Sequence, residues 1–340
     1  MKKIELVPGY QISPVIKGGW QLSTGHSLNT QISEEQAISD IISFVDAGIS
    51  TLDFGDIYTG VEVLVGKALK ILNDRQKVQL HTKYVPNESF LDSYDRKDAR
   101  IIVERSLERL GVDCVDLVQV HWWRYEARNY LEALEELFLL KEEGLIREVG
   151  ITNFDLVRLE EMVNAGLKPA SIQLQYSILD RRPEAGMAEY CVKNGIGMLC
   201  YGTVAGGFLS ERFLNQPEPS AFDTRSNVKY KLIIEDFGGW NLFQELLHIL
   251  DAIAKSKATD IGTIASAYTL KRPGVKAVIV GARNLNHINS NLLIPEITLT
   301  DSELEAISDI HVRSTGPLGS VYDLERYSDR HRNIMHTNNN

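Results

Sequence analysis

Eight short apolar runs of strand character recur along this chain, and segments of helical periodicity fall between them. The runs are VIKGGW, Ile49 to Phe54, Val78 to Lys83, Val115 to His121, Arg147 to Ile151, Ser171 to Gln175, Gly197 to Tyr201 and Lys276 to Val280. Repeated alternation of the two periods argues for parallel βαβ units rather than a sandwich or a helical bundle. Eight units is the count of an α/β fold closed as an eight-stranded parallel (β/α)8 TIM barrel. The first helix carries its own punctuation. Ser33 is placed to cap it and Gln36 to close a capping box, while Ile38, Ile41, Ile42 and Val45 form one stripe before Gly48 ends it. Leu131, Leu134, Leu137 and Phe138 make a second stripe, and Leu242, Leu246, Leu247, Leu250 and Ile253 a third. With 340 residues and 44% hydrophobic composition, the chain can bury the core of one such barrel. The expected organisation is one domain over 1–340, with its core at about 15–312 and a polar tail over 313–340 following a helix capped by Thr300 and Glu303. The tail's last residues, HTNNN, are expected to fray.

Barrels of this kind place their chemistry at the C-terminal ends of the strands. Four segments, TLDFGDIY, HTKY, LVQVHW and VGITNF, occur in that order, and the first three bring titratable groups there. Asp53 closes a strand, Tyr58 follows on the succeeding loop, and Lys83 and His121 end two further strands. Carbonyl reduction needs a hydride and a proton, and Tyr58 is the candidate acid. Lys83 is expected to lower the phenol's pKa by favouring phenolate, with Asp53 as the lysine's ion-pair partner and His121 orienting the substrate oxygen.

Asp, Tyr, Lys and His in this order resemble the tetrad of the aldo-keto reductase superfamily. The similarity runs from about Val15 to about Leu293, through VGITNF, SIQLQYS, CYGTVAGGFL and VIVGARNLNHINSNL. It implies an oxidoreductase that reduces an aldehyde or ketone to an alcohol by hydride transfer, with NADPH as cofactor and NADH as the alternative. No GxGxxG follows an early strand, so a Rossmann site has no support. The resemblance assigns the nicotinamide carboxamide to Thr152, Asn153 and Gln173, and places Tyr201 beneath the ring. In YGTVAGGFL, Gly202, Thr203, Gly206, Gly207 and Leu209 are expected near the pyrophosphate, where glycines let the backbone approach closely. Gly281, Arg283, His287 and Asn291 are the candidates for the adenosine end, Arg283 for a 2′-phosphate. At His287 the family more often carries glutamine or arginine.

Trp20, Tyr84 and Trp122 adjoin these motifs and are expected to wall the substrate site, with Tyr322 and Tyr327 of the tail as further closing groups. The stretch from Thr203 to Gly239 exceeds an ordinary βα loop and is expected to cover the cofactor. The loop and tetrad also look like the cytosolic beta subunits of potassium channels. A nucleotide-sensing regulatory subunit is therefore the alternative reading, and a cofactor-free hydrolase or isomerase a third.

A net charge of −10 and the absence of a basic run argue against nucleic acid as partner, leaving a small-molecule carbonyl substrate. Cys114, Cys191 and Cys200 show neither metal nor redox spacing and are expected to be buried free thiols. His331 and His336 lack acidic or cysteine partners at ligand spacing, so no metal is expected. MKKIELVPGY has no apolar stretch of signal length and no segment has the length of a membrane span, which makes a cytoplasmic protein the expectation. The oligomeric state is not legible.

Overall fold

The computed structural model describes residues 1–23, 33–222, 224–281 and 284–334. An antiparallel hairpin, β1 (Ile4–Val7) and β2 (Tyr10–Ile12), precedes the barrel. The barrel strands are β3 (Val15–Gly18), β4 (Thr51–Asp53), β5 (Gln79–Tyr84), β6 (Val115–His121), β7 (Ile146–Thr152), β8 (Ser171–Gln175), β9 (Gly197–Tyr201) and β10 (Val275–Gly281). They pair in sequence order, all parallel, and β10 closes on β3. Six of the eight strands, β3 to β6 and β8 to β9, are buried over almost their whole length, as strands covered on both faces must be.

The hairpin was not foreseen, although Pro8-Gly9 between two short apolar runs is a turn signal; Gly9 sits at φ 79°. It plugs the N-terminal end of the barrel. Leu6, Tyr10 and Ile12 pack on Ile16, Leu117, Leu199 and Ala277, and the Tyr10 hydroxyl meets His81 Nε2 at 2.9 Å.

Helices α1 (Glu34–Asp46), α2 (Val61–Leu72), α3 (Lys97–Leu110), α4 (Tyr130–Glu142), α5 (Leu156–Asn164) and α6 (Met187–Asn194) surround the first strands. Ser33 accepts from the Gln36 amide at 3.1 Å, but the Gln36 side chain turns forward to Asp40, so the expected capping box is only half made. After β9 come α7 (Arg225–Phe237), α8 (Gly239–Ser256) and α9 (Ile261–Leu270). The second half of the stretch expected as a covering loop is thus helix, because Thr224 accepts from the Asn227 amide and starts α7. The apolar stripe of α8 is buried from Leu242 to Ile253 against Ile307 and Ile310. Each such side chain contributes about 1.5–3 kcal/mol by removal from water.

Beyond β10 lie α10 (Ile288–Leu293), α11 (Asp301–Arg313), α12 (Asp323–Tyr327) and α13 (Asp329–Arg332). The Thr300–Glu303 capping box of α11 is complete in both directions. The tail continues over the C-terminal end of the barrel. Among the described residues no helix is long and apolar enough to cross a membrane. Cys191 and Cys200 are buried, whereas Cys114 is partly exposed, against the expectation for that thiol, because it lies in the short turn before β6.

Candidate active site

Barrel register brings the strand ends to one level. Asp53 pairs with Gly18 and His81, Lys83 with Gln119, His121 with Thr152, Thr152 with Gln173 and Gln175 with Tyr201. A cavity of about 420 Å³ opens there. Asp53, Tyr58, Lys83, His121, Thr152, Asn153, Gln173, Tyr201, Gly202, Gly206 and Gly281 all line it.

Lys83 Nζ donates to Asp53 Oδ2 and to the Phe54 carbonyl, each at 2.7 Å. The other Asp53 oxygen accepts from Gln173 at 2.6 Å and Gln119 at 3.1 Å. This buried carboxylate therefore has three side-chain donors. Burial alone would lower the Lys83 pKa, but Asp53 and Tyr58 outweigh it and raise the value, so the ammonium stays charged. Its Nζ lies 5.0 Å from the Tyr58 ring centroid. For Tyr58 the balance differs from expectation. Burial raises the phenol's pKa and Lys83 offsets only part of the rise, so the group rests protonated.

His121 is buried, and neither ring nitrogen has a hydrogen-bond partner among the described residues. Burial, aided by the Arg326 guanidinium, holds its pKa down to about 3. The ring is therefore neutral, with one donor and one acceptor nitrogen. Trp123 and Tyr322 approach it edge-on, with centroids at 4.3 and 5.5 Å.

The aromatic wall differs from the sequence expectation. Trp20 lines the cavity with its ring 5.0 Å from that of Tyr58, but it stands in a short 3-10 turn beyond β3 rather than ending the strand. Tyr84 and Trp122 are completely buried and do not line the cavity. Alternation along a strand explains Tyr84, which points opposite to Lys83 into the helical layer. Trp122 turns its indole N–H to the Ala127 carbonyl at 2.7 Å, so Trp123 is the cavity residue of that pair. From the tail, Tyr322 and Ile334 line the cavity, while Tyr327 is exposed.

A groove leads from the tetrad past Tyr201. The Tyr201 hydroxyl donates to Asn153 Oδ1 at 2.8 Å. Gln173 commits its amide nitrogen to Asp53 and Gln119, which leaves its oxygen for any ligand. Thr203 and Leu209 are buried and outside the cavity; the Thr203 hydroxyl bonds Ser266 at 2.9 Å. Gly207 does not line it either. A Cβ at Gly202 would fall 2.5 Å from the Tyr230 hydroxyl, and one at Gly281 would fall 2.3 Å from the Gln21 amide. Bare backbone at these points keeps the groove open. Gln21, in the 3-10 turn beyond β3, also lines it and was missed, as were Arg225, Ser226, Lys229 and Tyr230, because α7 had no recognised start. At the far end, Arg283 lies outside the described residues, His287 is exposed, and Asn291 is buried with its Nδ2 unpartnered among the described residues; neither of the last two lines the cavity. His331 bonds Asp236 at 2.8 Å, and His336 lies outside the described residues.

A dinucleotide fits this arrangement, because a groove floored by glycines runs from the unpartnered His121 nitrogens past the amides of Asn153 and Gln173 toward the cations of α7.

The sequence pattern of the Aldo/keto reductase family matches residues 14–311. The NADH-specific methylglyoxal reductase of Escherichia coli (strain K12) is 27% identical over 89% of this chain and 96% of its own length. The holo form of an aldo-keto reductase from Bacillus halodurans superposes with a TM-score of 0.70 at 27% identity, over 93% of this chain and 98% of that one. An aldo-keto reductase from Klebsiella pneumoniae in complex with NADPH shares the fold at a TM-score of 0.70 and 19% identity, over 94% and 96% of the two chains. The ordered strand-end motifs, the closed eight-stranded barrel and a match spanning most of the sequence agree: this chain belongs to the aldo/keto reductase family.

Proposed function

We propose that the protein reduces an aldehyde or ketone to the alcohol with NADPH, NADH being the alternative donor, and that Tyr58 is the general acid. The observation that carries this reading is the convergence of Tyr58, the Lys83–Asp53 pair and a neutral, unpartnered His121 on one cavity. A bound reduced nicotinamide supplies the hydride. Thr152, Asn153 and Gln173 would hold its carboxamide, and Tyr201 would support the ring. Preference for NADPH rests on Arg283, two residues beyond Gly281 in sequence, as the cation for a 2′-phosphate.

His121 holds the carbonyl oxygen by donating from one ring nitrogen, which its low pKa makes a neutral donor. Tyr58 shares that oxygen and keeps its proton in the resting site, since burial raises its pKa. As negative charge develops on the oxygen, Tyr58 transfers its proton and becomes phenolate. The charged Lys83 stabilises that phenolate, and Asp53 keeps the ammonium in place. Trp20, Trp123 and Tyr322 exclude water around the transfer.

A fluorescence titration with NADPH and NADH, followed by a panel of aldehydes and ketones, tests the reading. Binding with carbonyl-dependent cofactor oxidation is expected. Binding without turnover would point instead to a sensing subunit, and no binding would remove the cofactor assignment.

A further inference from the structure

A cluster of four buried or half-buried titratable side chains lies directly behind the loop that carries Tyr58, on the side away from the cavity. It comprises Asp56 of that loop, Glu62 of α2, and Arg105 and Arg109 of α3. The side chains of Asp56 and Glu62 are 0% and 2% exposed; Glu62 takes its donors from protein, whereas neither Asp56 carboxyl oxygen has a hydrogen-bond partner among the described residues.

Arg109 makes the connections. One guanidinium nitrogen, Nη1, donates to Glu62 Oε2 at 3.1 Å and lies 3.4 Å from the Asp56 backbone carbonyl, to which it also donates. The second Glu62 oxygen accepts from the Thr82 hydroxyl at 2.8 Å. Thr82 precedes Lys83 in β5 and faces the helical layer while Lys83 faces the site. A single chain of polar contacts thus runs from the Tyr58 loop, through Arg109 and Glu62, to the strand that carries Lys83. Arg105 lies 3.6 Å from the Asp56 carboxyl without a hydrogen bond to it.

The helices are shaped for this contact. Gly66 of α2 faces the end of α3 so closely that a Cβ there would meet the Arg109 carbonyl oxygen at 2.5 Å and the Leu110 carbonyl oxygen at 3.0 Å. Only glycine lets the two backbones approach in this way. Tyr58 itself is gripped on both sides: its amide donates to Gly55 and its carbonyl accepts from Val61, the first residue of α2. A shift of α2 relative to α3 would therefore move the phenol.

The geometry points to Arg109 as a positioning residue that sets the placement of Tyr58 against Lys83 without touching substrate or cofactor. This rests on the reading of Tyr58 as the acid. Small displacements of a reacting group are costly, on the order of 100-fold for about 1 Å, so the effect falls on the chemical step.

The test compares Arg109→Met, Arg109→Lys and Tyr58→Phe in the full chain. Each is assayed for kcat with a small aldehyde, for NADPH affinity by fluorescence, for melting temperature, and for the primary isotope effect on kcat using NADPH deuterated at the transferred hydrogen. For Arg109→Met a fall in kcat on the order of 10- to 100-fold is expected, with NADPH affinity unchanged and a larger isotope effect. Arg109→Lys, which keeps a cation opposite Glu62 but not the planar fork, should recover part of the loss. Arg109 is partly exposed, and should the Met variant fail to fold, the Lys variant carries the same readouts. A lowered melting temperature with unchanged kcat and isotope effect would reduce Arg109 to a packing cation and overturn the proposal. An equal loss of NADPH affinity would overturn it too, by moving the effect to the cofactor groove. Full turnover in Tyr58→Phe would instead sink the acid assignment, a failure separable from the first because it appears in a different variant.

Discussion

The hydroxyl of Tyr201, the last residue of β9, donates to Oδ1 of Asn153, the first residue beyond β7, across 2.8 Å. Asn153 holds a left-handed backbone at φ 62°, and its amide donates to the Gln173 carbonyl at 2.9 Å. Main chain and side chain are thus each held by one bond, with the side chain's acceptor engaged and its Nδ2 left to meet a ligand as donor. Tyr201→Phe keeps the supporting ring and removes only this bond. A neutral hydrogen bond contributes about 0.5–1.5 kcal/mol, so cofactor affinity should fall about 2- to 10-fold with kcat nearly unchanged. Fluorescence titration of the variant with NADPH checks this, and an unaltered dissociation constant would show that the bond does not orient Asn153 toward the cofactor.

Tyr58→Phe removes the proposed proton donor and leaves the groove past Tyr201 untouched. Its kcat should drop on the order of 10²–10⁴-fold while NADPH affinity holds. Lys83→Met should lose activity on the same scale and stability besides. It strands Asp53 in a site where both partners' side chains are only 5% exposed, with Gln119 and Gln173 as the remaining donors. Breaking such a buried pair costs about 3–5 kcal/mol, so the melting temperature should separate the two variants. Steady-state kinetics beside thermal melts would reveal the contrast; equal melting temperatures would mean that the amides suffice for Asp53.

Seven of the eight barrel strands announced themselves as apolar runs because a strand buried on both faces has no polar alternation to blur it. VIKGGW was legible too, but it overran: the chain leaves β3 at Gly18 and turns at Trp20. What sequence hid was direction. Tyr84 and Trp122 sit one residue beyond Lys83 and His121, and the period-2 pleat sends each to the opposite face. Side-chain periodicity, applied to those pairs, would have excluded both. Lys229 and Tyr230 were hidden for another reason: α7 begins at Thr224 inside a stretch read as loop, and its cap signal is short. The tail's contribution depends on long-range contacts, such as Arg326 donating to the Trp122 carbonyl at 2.8 Å, which no local pattern encodes.

Three histidines make stability dependent on acid. Burial, with help from nearby cations, holds His81 and His121 down to about 3 and His311 to about 4, all below the ordinary value of 6.5. Between those limits the unfolded chain binds protons that the folded chain does not. Their contribution is therefore fully present above about pH 6.5 and is lost as pH falls toward 4 for His311 and toward 3 for His81 and His121, at up to roughly 1.4 kcal/mol per unit for each ring. Asp56 acts oppositely over this window. Burial and Glu62 push its carboxyl up to about 8, so its protonated form favours the folded state and offsets one of the three. The net expectation is a melting temperature that declines from pH 7 to pH 5. A flat profile would contradict the neutral assignment of these histidines.

Tyr322 reaches the site from the tail in an uncommon conformation. Its backbone is left-handed at φ 65°, its ring meets His121 edge-on at 5.5 Å, and the Arg326 guanidinium lies 5.0 Å from the ring centroid. A non-glycine residue in this region carries strain of about 1–2 kcal/mol, which the buried ring contacts offset. Tyr322→Ala keeps the strain and loses the contacts; Tyr322→Gly loses both. The Gly variant should therefore melt higher than the Ala variant, although each opens the same space beside His121. Both should raise KM for bulky aromatic aldehydes about 10-fold through lost apolar contact, while kcat/KM for a two- or three-carbon aldehyde stays near the parent value. Kinetics with the two aldehyde sizes, read beside the melts, decide the matter: uniform loss across both sizes would show that Tyr322 supports His121 rather than bounding the substrate, and equal melting temperatures would show that the left-handed turn is unstrained.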